Sequence, residues 1–140
     1  MVKIYYRSVK ETQLRELKKR RAGSWVYAES PTTAEIQELC HRYQLNEDLV
    51  KDVMDIDEMP RLEIEDGTPY LFTRFAVSES GATQTLPVLM VISSGALVTI
   101  SPKPIPAFER LTSGKTELYT TQKTKLLLLL LSHIVDSYAG

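Results

Sequence analysis

Cysteine, histidine and tryptophan are scarce in this chain: one cysteine (Cys40), two histidines (His41 and His133) and one tryptophan (Trp25). A single cysteine excludes an internal disulfide and any multi-cysteine zinc site. The histidines are far apart, and neither stands in a ligand spacing such as H-x-x-x-H. Cys40 and His41 are neighbours, and neighbours on a helix point about 100° apart, so they are no nucleophile–base pair. Cys40 is expected as core filler. Glycine is also scarce: the six, at 23, 67, 81, 95, 114 and 140, fall at turn or end positions. They build no phosphate-binding loop, and no G-x-S-x-G nucleophile motif occurs. The longest apolar run is the six leucines 126–131, against the ~18 residues a membrane helix needs. The opening VKIYYRSVK has no apolar stretch of the signal-peptide kind. Finally, net charge is nearly absent, at −1. A nucleic-acid binder shows a basic excess, so no nucleic-acid partner is expected.

What remains is 140 residues, 43% hydrophobic and 25% charged, the composition of one soluble globular domain that buries its core unaided. The charge balances only on average. Residues 1–21 carry eight basic side chains against Glu11 and Glu16, a net of +6. Residues 47–66 carry nine acids against Lys51 and Arg61, a net of −7. Two readings stand side by side. These are two solvated faces, paired with each other in the fold, or the acidic one is a surface that attracts cations. Asp52, Asp55, Asp57 and Glu58 match no EF-hand loop. An enzyme would have only this acidic cluster to work with, so no enzyme is expected.

Residues 2–7 read as a strand and 25–28 as another. Residues 11–21 read as a short basic helix with Leu14 and Leu17 its clear apolar contacts. Thr32 with Glu35 fits a capping box, and Ile36, Leu39, Cys40 and Tyr43 give the helix that follows one apolar face. Asn46 can cap a second helix to about Met54, with Glu47, Asp48, Asp52 and Asp55 facing largely away from its apolar side. Pro60 ends it. Residues 61–65 and 70–77 form a hairpin about Asp66-Gly67, 78–82 a loop, and 86–92 and 96–100 a second hairpin. The last two strands are apolar almost throughout, as in a sheet covered on both faces. Three prolines keep 101–106 irregular, and 107–111 make a short helix. Residues 116–139 predict a helix of roughly 36 Å, its leucine run apolar on all sides and buried between the sheet and another element. One α/β domain over 1–140, a central mixed sheet with helices on both faces, accounts for the chain.

Several pieces occur in a particular order: Ser24-Trp25-Val26, Ser30-Pro31-Thr32 with Glu35, Tyr43-Gln44-Leu45-Asn46, Leu49 to Met54, Met59-Pro60-Arg61-Leu62-Glu63, the strand pair ending at Ile100, and the leucines leading to Tyr138. In order and spacing they resemble the soluble part of the CorA family of divalent-cation transporters. Met59 departs from the family's usual Arg before Pro60, and Lys51 stands where an acid often precedes Asp52. The resemblance implies the amino-terminal cytoplasmic domain of a longer cell-membrane protein, a homopentamer. Stalk helix, membrane spans and the Gly-Met-Asn tripeptide are missing, so contact with the membrane would run through a missing C-terminal region. It also implies a role for Asp52: the family's regulatory Asp on the short acidic helix. There a Mg2+ or other divalent ion bridges to the next subunit and favours the closed pore. Asp48 and Asp55 are possible acidic neighbours, and Lys51 would weaken the site. The alternative is a stand-alone interaction module with the same fold and no transport role.

Overall fold

The computed structural model describes residues 1–79 and 81–139. Seven strands form one sheet in the order β2-β1-β3-β7-β6-β5-β4. They are β1 (Val2–Tyr6), β2 (Arg15–Leu17), β3 (Ser24–Glu29), β4 (Arg61–Glu65), β5 (Thr68–Glu79), β6 (Ala82–Ile92) and β7 (Ala96–Ser101). Among the described residues only β3 and β7 pair in parallel, Trp25 opposite Leu97 and Ala28 opposite Ile100; the other pairs are antiparallel. The sheet is therefore mixed, and its central strands are buried on both faces, which is why β6 and β7 read as continuous apolar runs.

Alternation along each strand separates two cores. Val26, Ala28, Val98 and Ile100 face helices α1 (Thr33–Tyr43) and α2 (Glu47–Val53), meeting Ile36, Leu39, Val50 and Val53. Trp25, Tyr27 and Leu97 face α3 (Pro106–Thr112) and α4 (Lys123–Ala139), meeting Phe108, Leu111, Leu126 and Leu130. Phe108 stands edge-on to Trp25, Tyr27 and Phe75 at centroid distances of 5.5, 5.2 and 5.1 Å, a favoured aromatic geometry. The Trp25 indole N–H, wholly buried, donates to Thr99 Oγ1 at 2.9 Å. Helices on both faces of a mixed sheet are the α/β/α architecture the sequence predicts.

Local signals hold where they are strong. The capping box forms: Thr32 Oγ1 accepts from Glu35 N at 3.1 Å, and Glu35 Oε1 accepts from Thr32 N at 2.9 Å. The N-terminal ammonium adds a contact to the same oxygen at 3.0 Å. The Glu35 carboxyl is accordingly held below its ordinary range, first by the Thr32 backbone N–H and then by the ammonium. Asn46 Oδ1 caps α2 by accepting from Leu49 N. Asp66 (φ 50°) and Gly67 (φ 75°) take the two positive-φ positions of a tight hairpin turn.

Four expectations are corrected. Residues 11–21 form no helix: Arg15–Leu17 add to β1 as a short edge strand, Ile4 opposite Leu17 and Tyr6 opposite Arg15. Two apolar contacts are too few to hold a helix against the sheet, while an open strand edge offers a ladder of hydrogen bonds. The last helix starts at Lys123, not 116. The preceding segment is tied to the end of β1, where Thr120 N donates to Arg7 O and Thr120 Oγ1 accepts from Arg7 N. The leucine run is not enclosed: Leu126 and Leu130 are buried, whereas Leu128 is 60% exposed. The strands either side of the loop expected at 78–82 also pair with each other, β5 with β6, as far out as Glu79 opposite Ala82. Of the loop expected at 78–82, Ser80 lies outside the described residues.

Candidate functional site

Asp52 sits on the outer side of α2, with its side chain about half exposed (46%). Its apolar neighbours Val50 and Val53 point the other way and are fully buried. Helical periodicity thus fixes the direction of Asp52. The carboxylate is not free. Arg61, the first residue of β4, donates from Nη2 to Asp52 Oδ2 at 2.8 Å. The same guanidinium pairs with Glu58 and lies 3.3 Å from Glu63 Oε1. Its Cζ stacks 4.0 Å above the centre of the Phe72 ring. Arg61 therefore draws three carboxylates around one planar cation whose underside rests on an aromatic face.

The other two predicted acids are placed differently. Asp48 lies in the first turn of α2, exposed, where a carboxylate complements the helix dipole. Asp55 follows the helix and accepts from Asp57 N at 3.0 Å, closing a local turn. Neither joins Asp52 at a common point. Among the described residues no three His, Cys, Asp or Glu side chains are grouped as a metal ion requires. The residue that sequence reasoning passes over is Arg61. Its signal was a lone Arg three residues after Glu58 and two before Glu63, but only the fold adds Asp52.

Arg74 braces the same corner from β5. Its Nη1 donates to the carbonyls of Ile56 and Glu58 at 2.9 and 2.8 Å, fixing the link between α2 and β4. Cys40 lies behind α2 in the core. Burial pushes its thiol up to about 11, with Glu47 adding to the rise and Lys51 opposing it, so it is an inert filler.

The basic segment does not neutralise this acidic corner. No ion pair joins residues 1–21 to residues 47–66 among the described residues. The first flanks edge strand β2 and the second edge strand β4, at opposite ends of the sheet. A cleft of about 360 Å³ opens between β1, β2 and α1, floored by Val2, Ile4, Val26 and Leu39 and rimmed by Lys18, Glu38 and Arg42. It lies away from Asp52. No helix among the described residues is long and apolar enough to cross a membrane.

The sequence profile described as CorA-like Mg2+ transporter protein matches residues 21–139. No curated protein matches the sequence. Among solved structures, the complete CorA magnesium transporter from Methanocaldococcus jannaschii is similar over 99% of this chain and 45% of its own, at 19% identity and a TM-score of 0.78. The soluble domain of CorA from that organism gives 99% and 57% coverage, 19% identity and a TM-score of 0.80. The ZntB cytoplasmic domain from Vibrio parahaemolyticus gives 96% and 56% coverage, 14% identity and a TM-score of 0.65. The chain thus spans about half the length of these relatives, and at such identities the likeness establishes the fold.

Proposed function

This chain belongs to the family of CorA-like Mg2+ transporter proteins, and on that premise we propose that it is the cytoplasmic regulatory domain of a divalent-cation transporter. The observation that carries the reading is the fit of nearly the whole chain to the soluble domain of a magnesium transporter. In this reading the domain works in a homopentamer on the cytoplasmic side of the membrane. A Mg2+ or similar ion bridges Asp52 to an acid of the neighbouring subunit and favours the closed pore.

The corner around Arg61 supplies a physical form for that switch. Two facing carboxylates from adjacent subunits repel, and an oxygen-loving cation between them removes the repulsion. Before the ion can bind, it must compete with the Arg61 guanidinium for Asp52 Oδ2. When the ion leaves, Arg61 retakes the carboxylate and the bridge between subunits is lost. An ion that binds the closed state better shifts the population towards it by its differential affinity. Lys51, one residue away and 3.5 Å from Glu47, adds positive charge beside the site and blunts its ion dependence.

The test is limited proteolysis of the assembled transporter. Millimolar Mg2+ is expected to protect this domain, and Asp52→Asn to reduce that protection. Unchanged protection would remove Asp52 from the mechanism. A reading frame ending at Gly140 would overturn the transporter role itself.

A further inference from the structure

Four cations stand in a row on the link from β2 to β3: Lys18, Lys19, Arg20 and Arg21, all exposed. The fold accounts for two of them. Arg20 Nη1 donates to Arg42 O at 3.1 Å, satisfying a carbonyl at the C-terminal end of α1. The Arg21 guanidinium lies 3.9 Å above the centre of the Tyr6 ring. Lys18 and Lys19 form no ion pair among the described residues. Adjacent like charges repel one another, and a bound anion removes that repulsion. Together with the last turn of α1 these side chains surround an open depression of about 690 Å³. It is lined by Lys18, Lys19, Arg20, His41, Arg42 and Gln44, with no acid among the described residues of its lining.

Lys18 and Arg42 also line the cleft of about 360 Å³ between β1, β2 and α1, so the two hollows meet at this pair. The cleft has the size and the apolar floor of a small-molecule site. Tyr43, half-buried, lines the same cleft and offers it an aromatic ring. The cleft differs from the depression in charge, because three acids line it. Glu35 is taken by Thr32 N and the N-terminal ammonium. Glu38 Oε1 accepts from Arg42 Nη2 at 2.6 Å. Glu16 forms no ion pair among the described residues. The cleft therefore favours an uncharged body that can donate an N–H, and the depression beside it favours an anion.

We propose that the two hollows together bind one small organic phosphate of the nucleotide kind. Its flat body fills the cleft against Tyr43 and the apolar floor, where an aromatic ring stacks on a planar base. Glu16 accepts from an N–H of that body. The phosphates cross between Lys18 and Arg42 and end among Lys19 and Arg20, where charge-assisted hydrogen bonds hold them. The inference uses the shape of the cleft and the placing of charge around it. It needs no metal, no neighbouring subunit and no role for Asp52, so its failure leaves the transporter reading untouched.

Isothermal titration calorimetry of the 140-residue chain in EDTA tests it, with ATP and inorganic pyrophosphate as probes. ATP is expected to bind at least about tenfold more tightly than pyrophosphate, because only ATP has a body to bury. The double variant Lys18→Ala, Lys19→Ala is expected to weaken both probes by about tenfold or more. Val2→Phe narrows the cleft from a half-buried position at its floor. It is expected to weaken ATP about tenfold and leave pyrophosphate within about twofold. Far-UV circular dichroism verifies the fold of both variants, and the comparison of the two probes needs no variant at all. No binding of ATP, equal affinity for the two probes, or an unchanged ATP affinity in either variant would each overturn the proposal. So would binding of phosphatidylglycerol vesicles or of single-stranded RNA without binding of ATP, which would assign the cations to a lipid surface or to a polymer.

Discussion

Arg61 does at one position what a bound cation would do from outside. It sits between Asp52, Glu58 and Glu63 and rests on Phe72. Without it three carboxylates face each other across a half-buried corner. Arg61→Gln is expected to lower stability by about 1–2 kcal/mol, combining lost pairs, lost stacking and new repulsion. Raising the salt should recover part of that loss, because repulsion between partly exposed charges is screened. Arg61→Lys should fall between, since an ammonium keeps the charge but not the fork or the stacked plane. Urea unfolding at low and high salt measures all three. A loss in Arg61→Gln that salt leaves unchanged would assign the residue a packing role only. Cys40 offers a second test at this scale. With its thiol pushed up to about 11 by burial, little thiolate exists at pH 8. Alkylation of the native chain is expected to be slower than that of the urea-unfolded chain by on the order of a hundredfold. Equal rates would show an open, accessible thiol.

At the scale of elements, α4 separates two properties that a run of six leucines hides. Leu126 and Leu130 are four residues apart, on one side of the helix, and both are buried in the core with Trp25 and Phe108. Leu128, between them, points outward. Leu130→Ala is expected to cost about 2–4 kcal/mol, lost transfer energy plus a cavity. Leu128→Gln should stay within about 0.5 kcal/mol of the parent. Thermal or urea unfolding distinguishes them, and similar losses at both positions would mean that the outer face of α4 is covered. The leucine run also marks where the sequence stops being legible. Signals closed within a few residues read correctly: Thr32 with Glu35, the Asn46 cap, the Asp66-Gly67 turn. Each is a short hydrogen-bonded unit or a φ requirement with one chemical solution. Residues 11–21 are rich in helix formers, yet Arg15–Leu17 within them pair with β1, because an open strand edge outweighs local propensity. The segment before α4 stays out of the helix for a similar reason: Thr120 is fastened to Arg7, far away in sequence. The candidate site divides in the same way. The exposed direction of Asp52 follows from the spacing of Val50 and Val53. Its capture by Arg61 depends on where the link after α2 delivers the start of β4, and no local pattern states that.

Across the whole molecule, the two cores share one sheet and cannot be lost separately. β3 sends Trp25 and Tyr27 to the α3–α4 side and Val26 and Ala28 to the α1–α2 side. β7 divides in the same way, with Leu97 on one side and Val98 and Ile100 on the other. Its parallel pairing with β3 joins residues some seventy positions apart, such as Val26 and Val98, so that pair forms only when most of the chain is in place. Unfolding either face exposes the backs of the same strands. A defect on one side must therefore be felt on the other. Val53→Ala, in the wholly buried wall of the α1–α2 core, tests this from a distance. It removes two methyl groups' worth of burial and leaves a small void, about 2 kcal/mol. Trp25, the sole tryptophan, reports from the opposite core. Its fluorescence and the far-UV circular dichroism are expected to move to the same lower urea midpoint, with an unchanged slope, as a single cooperative unit requires. A circular dichroism transition that shifts while the Trp25 signal stays in place would show that the α1–α2 layer can detach from an intact sheet.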